Sequence, residues 1–170
     1  MPKAEATRYL RDFGFGEITG IDFLGESSGQ VLPVDRVDAL TRYNQFFGQG
    51  ISVTAAQMAS SYQTLANDGV RVPLRLVDGC MTSEGEYVPE PVGEPVQVVS
   101  ASAAQQTVRM METVVTQGGL RNTLEIPGYR VAAKTGTAEI ATSNGYGDDR
   151  VISLAGMAPA EDPEYVVLVS

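Results

Sequence analysis

The C-terminal end of the chain limits its possible folds more than any other part. Three runs rich in Val, Ala, Ile and Thr follow one another there, at residues 130–141, 150–158 and 165–170. Runs of this kind, separated by the turn-like segments SNGYGDD and PAEDPE, are typical of β-strands. Connections this short join antiparallel strands, because parallel neighbours need a long crossover. The pattern predicts a three-stranded antiparallel sheet, with Asp148 and Asp149 in its first turn.

A helix is predicted to precede these strands, starting at Thr54. Thr54 and Gln57 have the spacing of a capping box, in which each side chain accepts a hydrogen bond from the other residue's backbone N–H. Apolar residues then recur every three or four positions, and the NDG at 67–69 favours a stop. We expect the buried side of this helix to consist of Met58, Ala59, Tyr62, Leu65 and Ala66.

A second helix is predicted to start at Ser100 or Ser102 and to end at Gly118. Gln105 has the spacing that would close a capping box on Ser102. The apolar residues of this segment also recur at helical intervals. Its predicted buried side consists of Ala104, Val108, Met111 and Val115.

The rest of the chain is less regular. Residues 3–13 have the apolar spacing of a helix, and a short strand is expected at residues 21–24 within a glycine-rich loop. Residues 36–47 carry no clear cap, and residues 70–99 are expected to form a surface excursion of short strands and turns. Together these elements predict an α+β fold, in which helices pack on an antiparallel sheet.

Composition excludes several classes of function. The 170 residues, 43% of them hydrophobic and 19% charged, are typical of one globular domain. A net charge of −9 with scattered arginines argues against binding nucleic acid, which needs clustered basic residues. The absence of histidine excludes Ser-His-Asp and Cys-His catalysis and the commonest zinc ligand. We therefore expect no metal and no cofactor, and a lysine, carboxylate or tyrosine as any catalytic base.

Lys134 is one of only two lysines, and it lies among small residues in GYRVAAKTGTAEI. The segment nearly matches the phosphate-binding pattern G-x-x-x-x-G-K-[ST], but Ala133 replaces the second glycine and poor helix formers follow. A nucleotide site is therefore not favoured. In a strand, Lys134 and Gly136 share one face, which leaves backbone accessible beside a cation. This arrangement indicates an edge that binds the carboxylate of a peptide.

The residues K-T-G at 134–136 are also the third signature of penicillin-binding proteins and serine β-lactamases. Four segments resemble, in the same order, stretches of the class B penicillin-binding proteins: FGFGEITGIDFLGESSGQVLP, FGQGISVTAAQMASSYQTLANDGV, VAAKTGTAEI and SLAGMAPAEDPEYVVLV. The resemblance covers nearly the whole chain from Ala6 to Ser170 and is weakest at residues 75–96. These relatives are the division and elongation transpeptidases that cross-link peptidoglycan.

The resemblance implies a role for each residue of the K-T-G-T segment. Lys134 is expected to contact the terminal carboxylate of substrate or antibiotic and to assist proton movement at a neighbouring serine. Thr135 is expected to lie behind it, and Gly136 to keep the floor of the cleft free. Thr137 is expected to donate its backbone N–H to an oxyanion hole, where such donors stabilise the developing charge. Lys134 and Thr137 are thus the predicted catalytic residues, and all four the predicted substrate-binding residues.

Two other motifs of that family cannot be assembled from this sequence. These are S-x-x-K, which carries the nucleophilic serine and a base, and S-x-N, which relays protons. We therefore expect residues 1–170 to be the C-terminal portion of a transpeptidase domain whose parent enzyme forms an acyl-serine intermediate. The 170-residue chain alone is expected to be inactive. Two alternatives stay open: a non-catalytic peptide-binding or interaction module, and a β-lactam sensor or β-lactamase relative.

The resemblance also implies partners and location for the complete protein. The expected ligands are peptidoglycan stem peptides that end in D-alanyl-D-alanine, and β-lactams. Proteins of the division or elongation machinery are further candidate partners, and nucleic acid is not expected. No apolar run here reaches the roughly 18 residues of a membrane helix. The parent protein is expected to be membrane-anchored and to act at the extracytoplasmic face of the bacterial cell membrane.

Overall fold

The computed structural model describes residues 1–119, 121–142 and 145–170, and only the backbone of residues 141 and 142. The α-helices are α1 Lys3–Asp12, α2 Ala39–Asn44, α3 Ala55–Ala66, α4 Ala101–Gln117 and α5 Arg121–Leu124, with single 3-10 turns at Val34–Arg36 and Gln45–Phe47. The strands are β1 Val70–Arg71, β2 Gly79–Met81, β3 Tyr87–Pro89, β4 Val96–Gln97, β5 Ala132–Thr142, β6 Gly145–Ala158 and β7 Tyr165–Val169. The predicted α+β class is confirmed.

The predicted C-terminal sheet is also confirmed. Strands β5, β6 and β7 lie side by side in that order, and both neighbouring pairs are antiparallel. Lys134 lies opposite Ala155, which in turn lies opposite Leu168. Because β5 is the first strand in this order, it forms one edge of the sheet as described.

The β5–β6 hairpin is longer than predicted. The ladder passes a bulge between Glu139 and Ala141 and continues to the pair Thr142 and Gly145. Asp148 and Asp149 therefore lie in β6, and their predicted placement in a turn is wrong because strand pairing extends beyond them. Residues 143 and 144 of the predicted turn lie outside the described residues.

Helix α4 supplies much of the apolar core. Its predicted buried side is confirmed: Ala104, Val108, Met111 and Val115. Val108 and Met111 join a core cluster with Ala132, Met157 and Ala160. The helix begins after Ser100, whose hydroxyl accepts a hydrogen bond from the backbone N–H of Ala103.

The alternative start of α4 at Ser102 is wrong. Residue 100 already has the extended backbone of an N-cap, so Ala101 is helical and Ser102 lies inside the first turn. The Gln105 side chain instead donates to the carboxylate of Asp68, 2.9 Å away. This bond links the start of α4 to the segment that follows α3.

Helix α3 begins with the predicted capping box, in which both reciprocal bonds between Thr54 and Gln57 are present. Its predicted apolar side is confirmed only in part, because Tyr62, Leu65 and Ala66 pack against the core cluster. The fully buried residues are polar, namely Gln57, Ser60, Ser61 and Thr64, whereas the five predicted apolar residues are only half-buried. Gln57 is buried against a glycine-rich loop, where its amide donates to the carbonyls of Glu17 and Ser28. The buried hydroxyls of Ser61 and Thr64 donate to carbonyls within α3 itself.

Helix α1 is confirmed, but the strand predicted at residues 21–24 is wrong. These residues form loop and turn, and Asp22 has a left-handed backbone with φ of 56°, which interrupts an extended run. The Glu26 carboxylate closes this loop by accepting hydrogen bonds from the hydroxyl and backbone N–H of Thr19. These bonds, the hydroxyl's first, lower the pKa of Glu26.

Residues 36–47, which had no assignment, form α2 and a 3-10 turn. The Asp38 carboxylate caps α2 by accepting a hydrogen bond from the Thr41 N–H at 2.7 Å. This bond lowers the pKa of Asp38. The 3-10 turn ends at Gly48, whose left-handed backbone, with φ of 88°, is readily adopted by glycine because it has no Cβ atom.

The surface excursion at residues 70–99 is confirmed. Strand β1 pairs with β4 at its base, and β2 pairs with β3 in a separate two-stranded hairpin. Both pairs are antiparallel. No helix within the described ranges is long and apolar enough to cross a membrane.

Candidate functional site

The K-T-G-T segment lies in the middle of β5, along the edge of the C-terminal sheet. Lys134, Thr135 and Thr137 are exposed, and Gly136 is half-buried. The Lys134 ammonium donates a hydrogen bond to the carbonyl oxygen of Thr135 over 2.7 Å. The predicted extended conformation and accessible amine are therefore both present.

The face of β5 that carries Lys134 changes from core to surface within two residues. Ala132 is fully buried opposite Met157, whereas Lys134 on the same face is exposed. Farther along, Gly136 faces Ser153 of β6, and a methyl group at residue 136 would lie 2.7 Å from the Ser153 hydroxyl oxygen. A glycine at this position therefore lets β5 and β6 pair without moving that hydroxyl.

An ion pair fixes the chain just before β5. The Arg130 guanidinium binds the Glu112 carboxylate of α4 with two hydrogen bonds, of 2.6 and 2.7 Å. This contact lowers the pKa of Glu112 and raises that of Arg130. The Arg130 carbonyl also accepts a hydrogen bond from the N–H of Ala160, beyond β6. The site strand is thus anchored at its base to both the helix and the sheet.

A cavity of about 420 Å³ lies next to the site strand. Thr137 is the only residue of the K-T-G-T segment among the described residues that line it. The others are Asn44, Phe47, Gln49, Glu139, Tyr146 and Arg150. Thr137 and Glu139 share the face of β5 opposite to that of Lys134, as their spacing requires. The structure therefore places Lys134 and Thr137 on one strand but on different faces.

The other part of the cavity lining comes from the segment that leads into the GQG turn at 48–50, through Asn44, Phe47 and Gln49. Gly48 and Gly50 both have positive φ, and the N–H of Gly50 donates to the Tyr146 hydroxyl at 3.1 Å. Gln49 and Tyr146 were not predicted as cavity residues. Gln49 and Tyr146 are too far apart in the sequence for a local pattern to link them. Tyr146 also lies within the segment that was predicted as a turn.

Comparison with known proteins identifies the family. The model of the penicillin binding protein transpeptidase domain matches residues 1–170. The chain belongs to this family. Penicillin-binding protein PbpB of Mycobacterium tuberculosis is 42% identical over 167 residues, which cover 93% of this chain and 25% of that protein. Peptidoglycan D,D-transpeptidase FtsI of Escherichia coli is 34% identical over 170 residues, which cover 99% of this chain and 27% of that protein.

The fold agrees with the same family. A crystal structure of penicillin binding protein 3 from M. tuberculosis complexed with ampicillin matches with a TM-score of 0.89 and 40% identity, covering 95% of this chain and 38% of that one. The transpeptidase chain described here spans about a quarter of the length of the curated relatives it matches. The class B resemblance, drawn from the K-T-G flanks, is thereby confirmed.

The described residues of this transpeptidase chain include no group of three or more His, Cys, Asp or Glu arranged to hold a metal ion. The single cysteine, Cys80, is free and exposed on β2. The site offers the ammonium of Lys134, the hydroxyls of Thr135 and Thr137 and an open strand edge. The cavity beside it is lined by one carboxylate, Glu139, and one guanidinium, Arg150.

Proposed function

We propose that this chain supplies the peptide-recognition half of a D,D-transpeptidase site, in which the edge of β5 binds the D-alanyl-D-alanine end of a peptidoglycan stem peptide or a β-lactam. The observation that carries the proposal is the exposed Lys134 on an extended edge strand. An extended peptide can pair with such an edge through backbone hydrogen bonds. The ammonium then offers a charge-assisted bond to the peptide's terminal carboxylate.

The backbone direction of β5 supports a shared role for Lys134 and Thr137. In a regular strand, the N–H and C=O groups of residues two apart point to the same side. The Thr137 N–H therefore points to the same side as the Thr135 carbonyl, which the Lys134 ammonium reaches. A ligand along this side would meet the ammonium at its carboxylate and the N–H of Thr137 at its scissile carbonyl. Such a donor stabilises an oxyanion in a cleft that excludes water.

Acylation requires a nucleophilic serine with a base, and the 170 residues contain no S-x-x-K. We infer that the serine of the complete active site lies outside these residues, and that the chain alone binds peptide without turnover. Bond breaking in the complete enzyme would release D-alanine and leave the peptide on that serine. By the chemistry of this substrate, the complete protein would act on the extracytoplasmic side of the membrane, where division or elongation proteins are candidate partners.

The test compares two peptides that differ in one group. A diacetylated lysyl-D-alanyl-D-alanine peptide and its C-terminal amide are titrated into the 170-residue chain, and amide chemical shifts of β5 are followed by NMR. We expect the acid to bind about tenfold more tightly, because one charge-assisted hydrogen bond contributes roughly 1.5–3 kcal/mol before screening. The Lys134→Met variant should lose this preference.

The other lysine provides the matched control. Lys3 donates to the Val37 carbonyl at the distant α1, and Lys3→Met should keep the preference for the acid. Equal binding of acid and amide by the unmodified chain would contradict the carboxylate role. Incubation with a fluorescent penicillin separates recognition from catalysis: we expect no covalent label, and a labelled chain would show that a nucleophile lies within the 170 residues.

A further inference from the structure

Residues 75–97, here called the arm, stand out from the rest of the molecule. Every residue of the arm except Gly79 is exposed. Its central strands, β2 and β3, pair only with each other among the described strands. An isolated two-stranded hairpin is marginally stable in water and gains little from burial. The arm therefore contributes little to the core of this chain.

The arm nevertheless carries large apolar side chains. Six of them are more than half exposed: Leu76, Val77, Met81, Tyr87, Val88 and Val92. Single exposed apolar residues are ordinary, but several on one short segment are typical of a surface that another molecule covers. Met81 and Tyr87 are cross-strand partners and so lie together on one face of the hairpin.

Tyr87 is held in place on this face. A methyl group at Gly79 would lie 2.6 Å from the Tyr87 ring and its hydroxyl oxygen, so the ring lies across the glycine. The Tyr87 hydroxyl donates to one carboxylate oxygen of Asp78 at 3.2 Å, and Arg75 binds the other at 2.6 Å. An aromatic side chain that is fixed before binding loses little entropy on contact, which is typical of interface anchors.

The charge of the arm indicates what kind of partner fits. The arm contains one arginine, Arg75, and five carboxylates, which give it a net charge of −4. The carboxylates are Asp78, Glu84, Glu86, Glu90 and Glu94. The Arg75–Asp78 pair neutralises itself, which leaves four exposed glutamates on the same short segment as the apolar side chains. Such a surface repels anionic lipid and nucleic acid. It complements a protein surface that carries Lys or Arg around an apolar pocket.

We propose that the arm is a docking surface for a second protein, whose basic rim meets the glutamates and whose apolar pocket receives Tyr87 and Met81. This surface lies outside the K-T-G-T segment and its cavity. Docking there is therefore independent of the peptide recognition proposed above.

The experiment places a photo-crosslinking benzophenone residue at Met81 in the complete protein, in the cells that produce it. Met110 of α4 provides a matched control, because these two methionines are 66% and 62% exposed. We expect irradiation at position 81 to give one predominant protein adduct, crosslinked at a peptide rich in Lys or Arg, and position 110 not to give it. Raised salt before irradiation should weaken the adduct.

Two variants test the contacts themselves. Tyr87→Ala should lower the adduct yield about tenfold, as expected for an interface anchor. Because this change also loosens the hairpin, a second variant keeps the apolar side chains of the arm and removes charge instead. It combines Glu84→Gln, Glu86→Gln and Glu90→Gln, and it should lower the adduct yield by a similar factor. The proposal is overturned by no adduct, by adducts with lipid or a second copy of this chain, by the same adduct at position 110, or by an unchanged yield in the glutamine variant.

Discussion

Helices α3 and α4 both start at the hydroxyl caps that the sequence predicts, yet they bury opposite kinds of side chain. The inner side of α4 is apolar and contacts the sheet, whereas the fully buried residues of α3 are two serines, a threonine and a glutamine. The difference lies in where the buried polar groups find partners. Gln57 of α3 donates to carbonyls of the glycine-rich loop, and the Ser61 and Thr64 hydroxyls donate to carbonyls of their own helix, whereas the inner side of α4 packs on the apolar core cluster.

The comparison also shows that the two helices hold different parts of the molecule. Helix α4 holds the base of β5 through apolar packing and the Glu112–Arg130 pair. Through Gln57, helix α3 instead fixes the glycine-rich loop at residues 17 and 28. Polar burial of this kind is stable only when each buried group has a partner. The two helices should therefore respond differently to the loss of one side chain.

The largest effect is expected at Gln57. Its amide donates to two loop carbonyls, and its oxygen accepts from the Thr54 N–H, while the side chain is fully buried. Gln57→Ala leaves all three groups without this partner and creates a cavity, so we expect the free energy of unfolding to fall by about 4 kcal/mol. Urea denaturation measures the change. Gln106→Ala, on the exposed side of α4, is the control and should stay within about 0.5 kcal/mol of the unmodified chain; similar losses in both variants would contradict this account of α3.

A somewhat smaller loss is expected in the apolar helix. Met111→Ala removes packing from the core cluster and should lower the free energy of unfolding by about 3 kcal/mol. Its neighbour Met110 is exposed, and Met110→Ala should have almost no effect in the same denaturation experiment. If the two methionines proved equivalent, α4 would not pack on the sheet as described.

The smallest effect is expected at the ion pair of α4. Because Arg130 lowers the pKa of Glu112, the carboxylate stabilises the fold above the ordinary glutamate value of 4.5, and this stabilisation is lost as the pH falls through the lowered pKa. Glu112→Gln should therefore cost about 0.5 kcal/mol at pH 7, after screening by solvent, and less at pH 3. Denaturation curves at both pH values measure the difference. A cost that persists unchanged at pH 3 would point to a steric cause.

Local signals explain what could be predicted from the sequence. The capping box of α3, the apolar side of α4 and the antiparallel sheet all follow from residues close together in the chain. The Asp38 cap of α2 was equally local, because a carboxylate precedes Thr41 by three residues, and it could have been found. The K-T-G-T strand itself was predictable from its residues and flanks.

The rest depended on contacts between distant segments. Gly50 and Tyr146 meet only because the β5–β6 hairpin continues past its bulge, a register that no short pattern determines. The burial of Gln57 in α3 depends on a loop about 30 to 40 positions earlier. Patterns of hydrophobicity identify helices and strands, but they do not reveal which surface receives a hydrogen bond.

The open edge of β5 has one more consequence. Unpaired strand edges tend to recruit other strands, including those of identical molecules, and natural proteins often place lysine there to prevent self-association and aggregation. Lys134 lies in the middle of this edge, on a chain with only one other lysine. The charge that would bind a carboxylate thus also disfavours self-association. Pairing with a neutral strand would remove the ammonium from water without giving it a partner, which costs free energy.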